Sequence, residues 1–312
     1  MTSKFLVSVL CGPFTAVSTA LYIYIIIVII RHRELRESAF YIINVVMGIV
    51  DIGSIWSIYL FHRIPALGLI SSSYLSLGPH SIFSFMCTEV FAAFSNSQKY
   101  LLMAIGLNRF TAVVTPSIHK RVWSKQHCVI LVLCIVIVNV IPAVVVEYVS
   151  PSYYEVKKND SFGGIRCEMD SKTLYIASFY YTAYLSVFSA TVNCCLYGFI
   201  VCTLFINQKN LRNANVFTIN IYRIELKLTI CVLFHTVLLV LDGATVTLAY
   251  LLGYKEFKVM NEILQDLLCG CNPYLLLLFS AQLRKKVFQF SIWSPSTTTS
   301  DPVFSAVGRN PR

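Results

Sequence analysis

Seven long stretches of mostly apolar residues, separated by short polar connections, make up most of the chain. Residues 5–30, 128–146 and 173–206 carry no charged side chain at all. Residues 38–61 carry only Asp51, and residues 81–107 carry Glu89 and Lys99. Residues 228–252 contain Asp242, and residues 259–280 contain Glu262 and Asp266. Each stretch reaches the roughly 20 residues that an α-helix needs to cross the hydrocarbon core of a bilayer. The pattern therefore predicts an all-α membrane protein, a bundle of seven transmembrane helices. The first stretch is about twice the length of a secretory h-region and has no small-residue cleavage site, so it reads as an uncleaved helix.

Composition agrees with this pattern and removes the alternatives. Hydrophobic residues make up 56% of the 312 and charged residues 13%, about half the ~25% of a soluble domain. With a mean hydropathy of +0.68, too few polar side chains exist to coat a water-facing surface. The net charge of +10 does not imply nucleic acid, because its distribution follows a membrane topology. Connections 31–37, 109–126 and 207–227, with the segment after residue 280, hold 16 Lys and Arg; the opposite set holds 8. Cytoplasmic loops carry the excess of base, which predicts an outer N-terminus and a cytoplasmic C-terminus. Residues 1–290 then form the membrane domain, with a short amphipathic helix at its end carrying Leu283, Val287 and Phe290 on one face. Residues 291–312, rich in Ser and Thr, read as a disordered cytoplasmic tail.

Eight of the eleven cysteines lie inside apolar runs and behave as small hydrophobes. No metal-binding spacing, cofactor motif or catalytic constellation is present, and the six histidines are dispersed. Cys87 lies about 33 Å of helix above Arg109, at the outer end of the third stretch, and Cys167 lies in the second outer loop. The pair is either a disulfide tying that loop over the bundle mouth or two free thiols. Asn159 begins the sole glycosylation sequon, Asn159-Asp160-Ser161, in the same loop.

Ionisable residues at membrane depth are functional candidates. Asp51 and Lys99 fall at similar depths. They either pair directly or stand apart, Lys99 in a water-filled cavity and Asp51 on a bonded water or cation. Asp242 and Asp266 lie nearer the outer mouth, where they bind a polar ligand or neutralise Lys99. The fifth stretch concentrates aromatics in its outer half. Tyr180, Tyr181, Tyr184 and Phe188 are candidate pocket residues, while Tyr175 and Phe179 suit an interfacial belt equally well.

Leu107-Asn108-Arg109-Phe110 stands at the inner end of the third stretch, and Asn272-Pro273 interrupts the seventh. With Asp51 these residues resemble marks of the seven-helix G-protein-coupled receptors. Asn108 replaces the usual acid, and Tyr274 follows Pro273 directly. A closer likeness lies in Glu37-Ser38-Ala39-Phe40-Tyr41, Ile49-Val50-Asp51-Ile52, His62-Arg63-Ile64-Pro65, Leu107 to Val113 and Trp123. These are similar to the nematode serpentine chemoreceptors of the class gamma superfamily, class V in particular, most clearly over residues 37–125.

The resemblance implies a chemosensory receptor, not an enzyme. It would bind a small odorant- or pheromone-like molecule near the outer mouth and signal to a heterotrimeric G protein. It would reside in the plasma membrane, in sensory cilia. Asn108, Arg109, Asn272 and Pro273 would then serve coupling and activation. Glu225, near the start of the sixth helix, is the acid placed to pair with Arg109 in place of the missing neighbour. The rival reading is a polytopic transporter or ligand-gated channel using Asp51, Lys99, Asp242 and Asp266 as an ion path.

Overall fold

The computed structural model describes residues 3–67, 71–78, 81–156, 165–210, 216–252 and 255–291. Five helices among these are long and apolar enough to cross a membrane: Val9–Arg31, Ala39–Ala66, Lys125–Val149, Lys172–Ile206 and Val232–Ala249. A sixth crossing is built from Val259–Gly270 and Asn272–Phe279, bent by 41° where Cys271 separates them. The bend has a local cause: Pro273 enters at the start of the second segment, where its missing N–H costs least. The remaining span, the third, runs over residues 82–114. It is the least apolar of the seven because Ser95, Asn96, Ser97, Gln98, Lys99, Asn108 and Arg109 lie on it, all buried inside the bundle.

The seven spans pack in a ring, first on second, second on third, third on fourth and fifth, fifth on sixth, sixth on seventh, and seventh back on first. The third also touches the sixth, which makes it the central post. Small residues permit the closest approaches. A Cβ on Gly53 would stand 2.6 Å from the Phe94 ring, so this glycine lets the ring lie against the second span. The fourth span faces outward with Ile130, Leu133, Ile137, Val138 and Ile141 exposed, an apolar surface suited to lipid.

Two wide π-helical turns replace α-helix at the outer ends, Ser57–Arg63 in the second span and Met86–Val90 in the third. The two turns pack on each other. A π-turn inserts one extra residue and so re-aims every side chain after it, and such turns concentrate at functional sites. Here the consequence is that Arg63, counted from the sequence as an outer-loop base, is 1% exposed.

At the other end of the bundle, Trp123 Nε1 donates to Thr111 Oγ1 at 2.7 Å, and that hydroxyl also meets His119 Nδ1 at 3.0 Å. These bonds fold the connection after the third span against the helix that precedes it. The helix Ala281–Ser291 buries Leu283 and Val287. Tyr24 donates its hydroxyl to the Val287 carbonyl at 3.0 Å. Arg284 donates to the carbonyls of Leu277 and Leu278, satisfying the free C-terminal end of the seventh span.

Candidate functional site

At the end of the bundle away from Arg109 lies a cavity of about 530 Å³. The second span contributes Ile58 and His62, and the third contributes Cys87 and Phe91. Tyr175, Ile176 and Phe179 come from the fifth, Val246 and Ala249 from the sixth, and Asn261, Glu262 and Gln265 from the seventh. Its size and its mixture of aromatic, aliphatic and few polar side chains are those of a small-molecule site. Both π-turns feed it, since Ile58, His62 and Cys87 lie on them.

A two-stranded hairpin also lies at this end of the bundle. Ser152–Val156 pairs antiparallel with Ile165–Met169, with Tyr154 opposite Cys167. Tyr154 donates its hydroxyl to the Phe61 carbonyl at 2.8 Å and to that of Phe83 at 3.2 Å. Tyr74 donates to the Leu60 carbonyl at 2.8 Å and packs edge-on against the Tyr154 ring. Cys87 and Cys167 belong to this cluster, and the structure holds them as free thiols hydrogen-bonded to each other. The bond to Cys87 and burial both push the Cys167 thiol up from its ordinary value.

Below the cavity, the charged residues sort into three groups. Asp51 is fully buried, accepts the Tyr22 hydroxyl, and accepts Gln98 Nε2 at 2.6 Å. Gln98 and Gln265 each also donate to Cys269 Sγ at 3.5 Å. Lys99, 1% exposed, donates to the carbonyl and hydroxyl of Ser95 at 3.2 and 2.8 Å. Its opposite charge is Asp242 on the sixth span, 2% exposed. Among the described residues no ion pair within 4.0 Å joins Lys99 to Asp51 or to Asp242. Of the two sequence alternatives, the structure therefore shows Asp51 and Lys99 apart.

Asp266 belongs to the third group. Arg63 Nη1 meets Asp266 Oδ2 at 2.7 Å, with both side chains 1% exposed. Arg63 Nη2 donates to the Glu262 carbonyl at 3.2 Å, and its guanidinium lies 4.4 Å over the Tyr59 ring. Tyr59 donates its hydroxyl to the same Asp266 oxygen at 3.3 Å. The sequence reading had not singled out Arg63 as a site residue. The signal available for it was a lone arginine among apolar residues, just past the end of the second stretch.

At the inner end, Arg109 is 7% exposed and lies 3.9 Å over the Phe40 ring, a cation–π contact between the third and second spans. Asn108 beside it is also buried. Glu225 is on the sixth helix, but its side chain lies outside the described residues, and so does any contact with Arg109. Asn272 and Pro273 are buried at the bend of the seventh span. Asn159 lies outside the described residues. Tyr180, Tyr181, Tyr184 and Phe188 stand 51, 45, 67 and 46% exposed on the outside of the fifth span. They do not line the cavity; its aromatic wall is Tyr175 and Phe179.

A seven-helix bundle with a cavity at one end and a buried, ring-stacked arginine at the other has the architecture of a membrane receptor. The family model of the serpentine type seven-transmembrane GPCR chemoreceptor Srv matches residues 13–292. The chain thus belongs to the Srv family of serpentine chemoreceptors, a multi-pass membrane receptor family and not an enzyme family. No curated protein matches it.

Proposed function

We propose that this chain is a chemosensory receptor that binds a small molecule in the outer cavity and signals to a heterotrimeric G protein at the Arg109 end. The observation that carries the reading is the cavity itself, a ligand-sized space lined by five spans. Its N-terminus faces outside and its tail the cytoplasm, as the excess of base on the connections near Arg109 supports. The plasma membrane, in sensory cilia, is the site of action that fits an external ligand. Arg109 and Asn108, with Asn272 and Pro273 at the bend, form the coupling apparatus; Glu225 completes it on the sixth helix.

The rival reading, transport or ion conduction along Asp51, Lys99, Asp242 and Asp266, is disfavoured by how these groups are used. Asp51 and Asp266 are held by hydrogen bonds or an ion pair, in separate groups. Expression with a panel of G proteins, with membrane current recorded in the same cells, tests the proposal. Ligand-dependent G-protein activation without current is the expected result. Current without activation by any G protein overturns it.

A further inference from the structure

The two ends of the outer cavity differ in chemistry. Phe91, Ile176, Phe179 and Val246 make one end apolar. The seventh span presents Asn261, Glu262 and Gln265 at the other, faced by the imidazole of His62. Arg63 stands behind that wall between two carboxyl groups, Nη1 2.7 Å from Asp266 and Nε 4.0 Å from Glu262, so one guanidinium serves two carboxylates. Arg63 does not line the cavity, and its Nη1 and Nη2 are committed to Asp266 and a backbone carbonyl. Hydrogen-bond supply is equally lopsided. Asn261 Oδ1 is a buried acceptor that no donor satisfies, and Gln265 Nε2 donates to Cys269 Sγ. A buried acceptor without a donor is costly. The missing partner is rich in N–H and positively charged.

We propose, resting on the receptor reading above, that the cavity takes a small amphiphilic amine in its protonated form. The ammonium donates to the Glu262 carboxylate and to Asn261 Oδ1, and its apolar body lies against Phe91, Ile176 and Phe179. An ammonium carries several donors for several acceptors, where a neutral alcohol carries one. A carboxylate ligand meets Glu262 with like charge and finds Arg63 already engaged. Charge-assisted hydrogen bonds are the strong ones.

The test is ligand-induced thermal stabilisation of the full-length receptor in detergent, a readout that needs no G protein. Phenethylamine, cyclohexylamine and octylamine are compared with phenethyl alcohol, cyclohexanol and octanol, and with hydrocinnamic, cyclohexanecarboxylic and nonanoic acids. At least one amine is expected to stabilise the receptor, and its neutral and acidic counterparts are not. Glu262→Gln is expected to weaken that amine roughly tenfold or more, the scale of a lost charge-assisted contact. Asn261→Ala gives a second reading should the first variant express poorly. Stabilisation by the acids or alcohols instead, by none of the nine compounds, or by amines equally on both variants, overturns the proposal. An amine that stabilises the protein without activating any G protein leaves the ligand class standing and defeats the signalling reading.

Discussion

Arg63 illustrates how a single side chain can be misplaced by counting and placed by geometry. Along the sequence it belongs to a polar connection, since His62 precedes it and Pro65 follows. The π-turn at Ser57–Arg63 rotates it into the bundle, where it pairs with Asp266. No residue pattern announces such a turn, so the partner of Asp266 was not legible, although Asp266 itself was. Removing one member of a buried pair leaves an uncompensated charge and typically costs about 3–5 kcal/mol, whereas replacing both with apolar residues is often neutral. Arg63→Met alone is therefore expected to lower thermal stability in detergent and surface expression steeply. The double variant Arg63→Met with Asp266→Leu is expected to recover most of both. If the single variant behaves as wild type, the pair contributes nothing to the fold.

The elements were legible to different degrees, for reasons that can be named. The apolar runs of the first, fourth and fifth spans are almost uninterrupted, and the structure has helices there. The third span passes as a helix only because its polar residues face other helices, an environment that composition alone does not reveal. The fifth span misled in phase. Its aromatics cluster in sequence, but the helix turns Tyr180, Tyr181, Tyr184 and Phe188 outward and only Tyr175 and Phe179 towards the cavity. The hairpin was read only as an outer loop, yet Tyr154 pins it to the second and third spans and brings Cys167 to Cys87. Two thiols in contact in an oxidising compartment are poised for a disulfide, and closing that loop would hold the hairpin. Non-reduced peptide mapping of receptor purified from the cell surface is expected to find Cys87 linked to Cys167. Finding both as alkylated thiols would refute the bond and weaken the placement of the hairpin outside the cell.

Across the whole molecule, the question is how an event in the outer cavity reaches Arg109. The third span is continuous from Phe91 at the cavity through Lys99 to Arg109. The sixth carries Val246 and Ala249 at the cavity and Asp242 one turn deeper. Lys99 and Asp242 are thus opposite charges, both buried, on two of the five spans that line the cavity. They attract without forming a close pair, so a small relative movement of the spans changes their interaction sharply in this low-dielectric setting. On the proposed receptor reading, their attraction would bias a two-state equilibrium towards the unliganded arrangement. Substituting one alone would orphan the other, so the informative variant is Lys99→Met combined with Asp242→Leu. It is expected to reach the surface at near wild-type levels and to raise ligand-independent signalling. A shift of about 1.4 kcal/mol multiplies the active fraction tenfold while that fraction is small. Adding Arg109→Ala to the same variant is expected to abolish the raised signal without changing surface levels, because the arginine acts downstream. Unchanged basal signalling in the double variant would make Lys99 and Asp242 structural partners only. Undiminished signalling after Arg109→Ala would reduce the arginine to a packing residue on Phe40.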